Sequence, residues 1–144
     1  MTNLGIMYEN GFGVDQDYAR AVEWYRKGAE AGDAYGMYYL GWNYLDGLGA
    51  AQDSQVALQW FTMASENGLE DEIDENKKNK AVQGTLNSLG YDCGIADGVI
   101  SEKTRDAVRR FYTDHNMRES DVIDLELMQK LVEEWLFSRI MRRS

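Results

Sequence analysis

The stretch LGIMYENGFGVDQDYARAVEWYRKGAEAG, Leu4–Gly32, returns as LGWNYLDGLGAAQDSQVALQWFTMASENG, Leu40–Gly68, displaced by 36 residues throughout. Leu4-Gly5 falls on Leu40-Gly41, Tyr8 on Tyr44, Gly11 on Gly47, Gly13 on Gly49 and Asp17 on Asp53. In the second half of the copy Ala21 falls on Ala57, Trp24-Tyr25 on Trp60-Phe61 and Gly32 on Gly68. An internal repeat of this length without a register slip is the pattern of stacked helix pairs, each burying its apolar stripe against the next.

Within each copy the residues predict two helices. Met1 to Asn10 reads as the end of one, and its counterpart runs from an Asp33 N-cap to about Asp46. Gly11-Phe12-Gly13 and Gly47-Leu48-Gly49 supply the turns. Asp15 or Asp17, and Asp53 or Ser54, cap the second helices. These carry Ala21, Val22, Trp24, Tyr25, Gly28 and Ala29, then Ala57, Leu58, Trp60, Phe61 and Ala64, at spacings of three and four. Trp24 and Trp60 recur at the array period and are expected in the core. By the same offset the first helix of copy one would begin before residue 1, so the first repeat is expected to be truncated and the chain to belong to a longer protein.

Leu-Gly-x-x-Tyr, Gly-x-Gly, Asp, and Ala-x-x-Trp followed by an aromatic, in this order and at this period, resemble the Sel1-like repeat, a relative of the tetratricopeptide repeat. The resemblance implies an all-α solenoid over residues 1–69 whose concave face holds a protein partner and which has no chemistry of its own.

Charge separates this half from the rest. Up to Asn76 there are three basic and fourteen acidic residues, whereas from Lys77 onward twelve basic face eleven acidic. Such an acidic array repels phosphate backbones, which argues against a nucleic-acid partner. The run Glu70–Lys80, acidic and then basic, is expected to be a charged linker or a solvated helix extension; it lacks the alternating ligands of a calcium loop. No apolar run is long enough to cross a bilayer. The single Cys93 cannot form an intramolecular disulfide.

Residues 81–144 read as three short helices. Ala81, Val82, Leu86 and Leu89 mark the first, closed by Gly90. A loop with an Asp97-Gly98 turn follows, then a helix capped by Ser101 with Thr104, Ala107, Val108 and Phe111 on its face and Tyr112 at the edge of it. A last helix from about Asp124 carries Leu125, Leu127, Met128, Leu131, Val132, Trp135 and Leu136 and extends toward Met141.

Val82-Gln83-x-x-Leu86-x-x-Leu89-Gly90-Tyr91, Gly94-x-x-Asp97-Gly98-Val99-Ile100, Thr104-x-x-Ala107-Val108-x-x-Phe111 and Val122-Ile123-Asp124 are similar to the peptidoglycan-binding type 1 domain, over about residues 80–132. That family has Gln at the position of Tyr112 and Gly at that of Ser101. The resemblance implies a compact three-helix module that holds the bacterial cell wall without cleaving it, and it places Tyr91, Asp97, Thr104, Arg105 and Tyr112 on the loop and the adjoining helix as expected peptidoglycan contacts. A tyrosine offers a face to a sugar ring, and Arg105 can pair with a stem-peptide carboxylate.

No catalytic set is legible. His115 is the only histidine, so a two-imidazole metal site and the His-Glu-x-x-His motif are ruled out, and Cys93 and His115 stand in unrelated contexts. No acidic pair is marked as a glycosidase dyad, and no cofactor motif is present. The reading is a non-enzymatic periplasmic scaffold that binds a protein through the repeats and peptidoglycan through residues 81–144, in a domain order that resembles the periplasmic region of a bacterial polar localisation factor. The alternative is a protein-only interaction module, such as an immunity or regulatory protein for an envelope enzyme.

Overall fold

A computed structural model describes residues 1–142, and these fold as two compact units, residues 1–73 and residues 74 onward. Among the described residues every regular element is a helix. In the first unit α1 (Thr2–Asn10), α2 (Tyr18–Glu30), α3 (Ala34–Asp46) and α4 (Ser54–Ala64) pack in sequence, each on the one before it. The caps fall on the carboxylates expected from the sequence, Asp17 and Asp53 at the repeat offset and Asp33 between them. Asp17 accepts from the amide of Arg20, Asp33 from Tyr35, and Asp53 from Gln55 and Val56. Such a cap contributes about 1 kcal/mol by satisfying amides that have no partner inside the helix. Gly11 and Gly47 close α1 and α3 at φ 70° and 68°. Beyond α4 the chain turns through Ser65–Leu69, where Gly68 at φ 104° is the counterpart of Gly32 at φ 94°.

The repeat is also visible in the packing. A Cβ on Gly41 would lie 2.8 Å from two carbons of the Phe61 ring, and a Cβ on Gly5 would lie 2.5 Å from the equivalent carbons of Tyr25. Each glycine therefore lets the first helix of its pair sit directly on an aromatic ring of the second. Tyr25 and Phe61 are fully buried, with Ala21, Leu40, Leu45, Ala57 and Leu58 around the same layer of the sequence pattern. The two copies differ where chemistry requires it. The Tyr25 hydroxyl donates to Glu9 at 2.7 Å, and burial with that carboxylate raises its pKa. Phe61 has no hydroxyl, and the position equivalent to Glu9 is the buried Leu45. An acceptor is present only where there is a donor to satisfy.

Trp24 and Trp60 correct the expectation of two core tryptophans, because both are only half-buried. Their neighbours Tyr25 and Phe61 occupy the inward positions, which turns the preceding residue about 100° toward the edge of the stripe. There Trp24 carries the Lys27 ammonium 4.5 Å from its ring centre.

In the second unit α5 (Glu75–Ser88) packs on both α6 (Glu102–Asp114) and α7 (Leu125–Arg142). The helix starts at Glu75, capped by Asp74, so the Glu75–Lys80 part of the charged run is the helical extension of α5. Val82, Leu86, Val108, Phe111, Leu127 and Leu131 form the buried apolar set. Ser101 caps α6 through the Thr104 amide, and Asp124 caps α7 through the Leu127 amide. After Leu131 no described residue of α7 is buried, and Phe137, Ile140 and Met141 stand exposed.

Candidate functional site

The loop between α5 and α6 is fastened to α5 by amide side chains. Gln83, fully buried, accepts the Gly98 amide at 2.8 Å and donates to the Val99 carbonyl at 2.9 Å and the Thr104 hydroxyl at 3.1 Å. Asn79 donates to the Gly98 carbonyl and Asn76 to the Asp97 carbonyl. Residues 76, 79 and 83 share one face of α5, because three- and four-residue steps return to the same side of a helix. That role explains the early start of α5: its first two turns hold the loop. Gly98 takes φ 85°, and a Cβ there would come within 2.6 Å of the Asn76 carbonyl oxygen, so the backbone approach requires glycine.

Asp97 is exposed, and its carboxylate closes the turn by accepting the Val99 amide at 2.9 Å. Arg105 is exposed near the start of α6 and reaches Glu102 at 3.7 Å. Such a solvated pair is worth little and leaves the guanidinium free to exchange partners. Tyr91 is half-buried, its ring edge-on to Phe111 and its hydroxyl donating to Asp114 at 2.7 Å.

Two of the expected contacts must be corrected. Thr104 is fully buried, with its hydroxyl donating to the Cys93 carbonyl and accepting from Gln83, so it fixes the loop and offers nothing to a ligand. Tyr112 is fully buried as well, with its hydroxyl against the Val122 carbonyl at 3.1 Å and the Asp124 carboxylate at 3.2 Å. It ties α6 to the cap of α7. The remaining residues do not converge on one point. Asp97 and Arg105 lie toward the start of α6, whereas Tyr91 bonds Asp114 at its end, nine residues and about 14 Å along the axis from Arg105.

The loop also exposes two apolar side chains, Ile95 and Val99, at 83% and 62%. They flank the Asp97-Gly98 turn, and the signal available in the sequence was two branched apolar residues inside a glycine-punctuated loop. Lys103 pairs with Asp92 at 3.1 Å beside them. The Asp92 carboxyl is held below its ordinary range by the Gly94 amide and by Lys103. Cys93 is buried with its thiol donating to the Gln83 carbonyl, and burial pushes the thiol pKa up, which makes it a poor nucleophile.

Burial raises both Tyr91 and Tyr112 from 10.0 to about 12, aided by Asp114 and Asp124 respectively. The unfolded chain therefore loses these protons first as the pH rises. Their contribution to stability is complete below about pH 10 and is lost as the pH approaches 12. In an alkaline titration, ultraviolet absorbance is expected to show the Tyr91 and Tyr112 tyrosinates appearing together with loss of α5–α7 helicity, while Tyr25, raised further, ionises with the first unit. Ionisation of all nine tyrosines in one step near pH 10, with helicity intact, would contradict this.

The first unit presents a different surface. Two cavities, about 320 and 360 Å³, open along α1 and α3. Asp33, Tyr35 and Ile6 line one and Glu9, Tyr18 and Trp42 the other, and Tyr39 lines both, so the two adjoin at that residue and are taken together as a groove. The repeat implies a partner on a concave face but does not identify these residues, because Asn3 and Ile6 stand where Tyr39 and Trp42 would recur and periodicity cannot mark a residue used once.

Comparison with protein families agrees with this division. Residues 1–33 and 34–69 match the Sel1 repeat family, and residues 76–131 match the family described as Putative peptidoglycan binding domain. The chain thus carries Sel1 repeats over residues 1–69, followed over residues 76–131 by a match to the peptidoglycan-binding family. Both are binding domains and neither is a catalytic one; together they support a scaffold or binding role associated with the cell wall. No curated protein matches the chain. The second match ends at residue 131, where burial along α7 also ends.

Proposed function

We propose that this protein is a non-catalytic scaffold of the bacterial cell envelope, acting in the periplasm, in which the repeats hold a protein partner while residues 74 onward hold peptidoglycan. The observation that carries the reading is the presence, in one chain, of two binding domains of unlike specificity. A chain with both can fix its partner at a place on the wall, and positioning at a cell pole is one use of such a bridge. Wall contact is assigned to the exposed part of the α5–α6 loop, Ile95, Asp97 and Val99, with Arg105 beside it and the accessible side of Tyr91. Apolar side chains and the tyrosine pack on sugar faces, and Arg105 exchanges Glu102 for a stem-peptide carboxylate.

Co-sedimentation with purified sacculi tests this. The chain is expected to pellet with them, and Arg105→Ala and Tyr91→Ala are each expected to weaken retention about tenfold, the loss of one charge-assisted or stacking contact. Because Tyr91→Ala also removes a packed ring, Arg105→Ala is the cleaner arm. Retention that neither substitution changes removes the wall contact from this loop. An absence of retention favours a protein-only module.

A further inference from the structure

We propose that the groove along α1 and α3 recognises a cationic segment of a partner protein, one that inserts arginine or lysine side chains between aromatic faces and carboxylates. This rests on the reading of the repeats as the protein-binding half and adds the chemistry of what they bind. Residues 1–73 contain twelve acidic side chains and three basic ones, a formal −9 on one small unit. All three cations are engaged with the unit's own rings: Arg20 lies 5.7 Å from the centre of Tyr8, Arg26 5.9 Å from Tyr44, and Lys27 4.5 Å from Trp24. Among the described residues no lysine or arginine lines either cavity of the groove.

The lining instead offers Tyr18, Tyr35, Tyr39 and Trp42 with the carboxylates of Glu9 and Asp33. An aromatic face attracts a guanidinium or ammonium through its quadrupole, and a carboxylate at the rim adds a charge-assisted hydrogen bond. An acidic partner would meet uncompensated repulsion, and a purely apolar one would bury the charges of Glu9 and Asp33 against neutral donors alone, Tyr25 for the first and Thr2 with the Tyr35 amide for the second. The groove is also long enough for more than one side chain, because its lining runs from Tyr35 to Trp42, about 10 Å along α3.

The test uses the intact chain and a fluorescein-labelled peptide of alternating arginine and leucine, followed by anisotropy. A matched peptide with citrulline in place of each arginine keeps the shape and removes the charge. The arginine peptide is expected to bind at least about tenfold more tightly than the citrulline one. Glu9→Gln preserves an acceptor for Tyr25 and is expected to weaken the arginine peptide about fivefold, as is Tyr39→Leu, while Glu23→Gln, on the exposed side of α2, changes it less than about twofold. Equal affinity for both peptides overturns the cation preference and leaves a protein-binding groove intact. Equal loss in Glu9→Gln and Glu23→Gln overturns the site in favour of diffuse attraction. Self-association of the chain in sedimentation, abolished by Tyr39→Leu, assigns the groove to a second copy. Binding of neither peptide also overturns the proposal, while retention on sacculi reports separately on the scaffold reading.

Discussion

Replacing Gln83 by leucine is expected to destabilise the α5–α7 unit by about 3 kcal/mol, although leucine is apolar and similar in volume. The carboxamide is fully buried and serves three groups at once: the Gly98 amide at 2.8 Å, the Val99 carbonyl at 2.9 Å and the Thr104 hydroxyl at 3.1 Å. Leucine would fill the space and satisfy none of them. Each buried group left without a partner costs about 1–3 kcal/mol, whereas a hydrogen bond that is merely exchanged for one to water costs far less. Amide hydrogen exchange is the direct readout. Protection of the Gly98 amide and of the core of α5 is expected to fall about 100-fold, with α1–α4 unchanged. Unaltered protection at Gly98 would show that the loop is held by something other than this side chain.

The second large effect lies in the repeats. Phe61→Ala is expected to cost about 4 kcal/mol, because a fully buried ring is lost from a layer too tightly packed to collapse around the gap. Gly41→Ala alone is expected to cost about 2 kcal/mol, since its new methyl would lie 2.8 Å from the Phe61 ring and 3.2 Å from the Ala57 carbonyl oxygen. The double variant is expected to cost less than the sum by at least about 1 kcal/mol, because the methyl introduced by Gly41→Ala then occupies part of the space the ring vacated. Urea unfolding of the four proteins gives the coupling. Simple additivity would mean that Gly41 and Phe61 are not in contact in solution.

The repeat made most of the first unit legible. A fixed offset marks caps, turns and the inward stripe together, and all of these follow from backbone geometry. It failed at Trp24 and Trp60 because recurrence shows that a position is equivalent in each copy without showing how deeply it is buried. Tyr39 and Trp42 escaped for the opposite reason, since a residue used once leaves no period.

In the second unit, Asn76 and Asn79 were hidden inside a run of charges, and nothing local distinguishes an asparagine that holds a distant loop from one that faces water. Thr104 and Tyr112 illustrate the converse. Placed near the loop by resemblance, Thr104 serves it from beneath and Tyr112 serves the cap of α7 instead. A tyrosine where the family has glutamine lets the hydroxyl reach the Val122 carbonyl and Asp124 across to α7, a long-range contact that no spacing rule encodes.

The proposed scaffold attaches to the wall and leaves it intact. Incubation of the whole protein with purified, protein-free sacculi, followed by sedimentation and assay of the supernatant for soluble wall fragments, measures both parts together. Saturable recovery of the protein in the pellet with no fragments released is the expected result. Protein left in solution at every sacculus concentration, or fragments that accumulate with time, would contradict it.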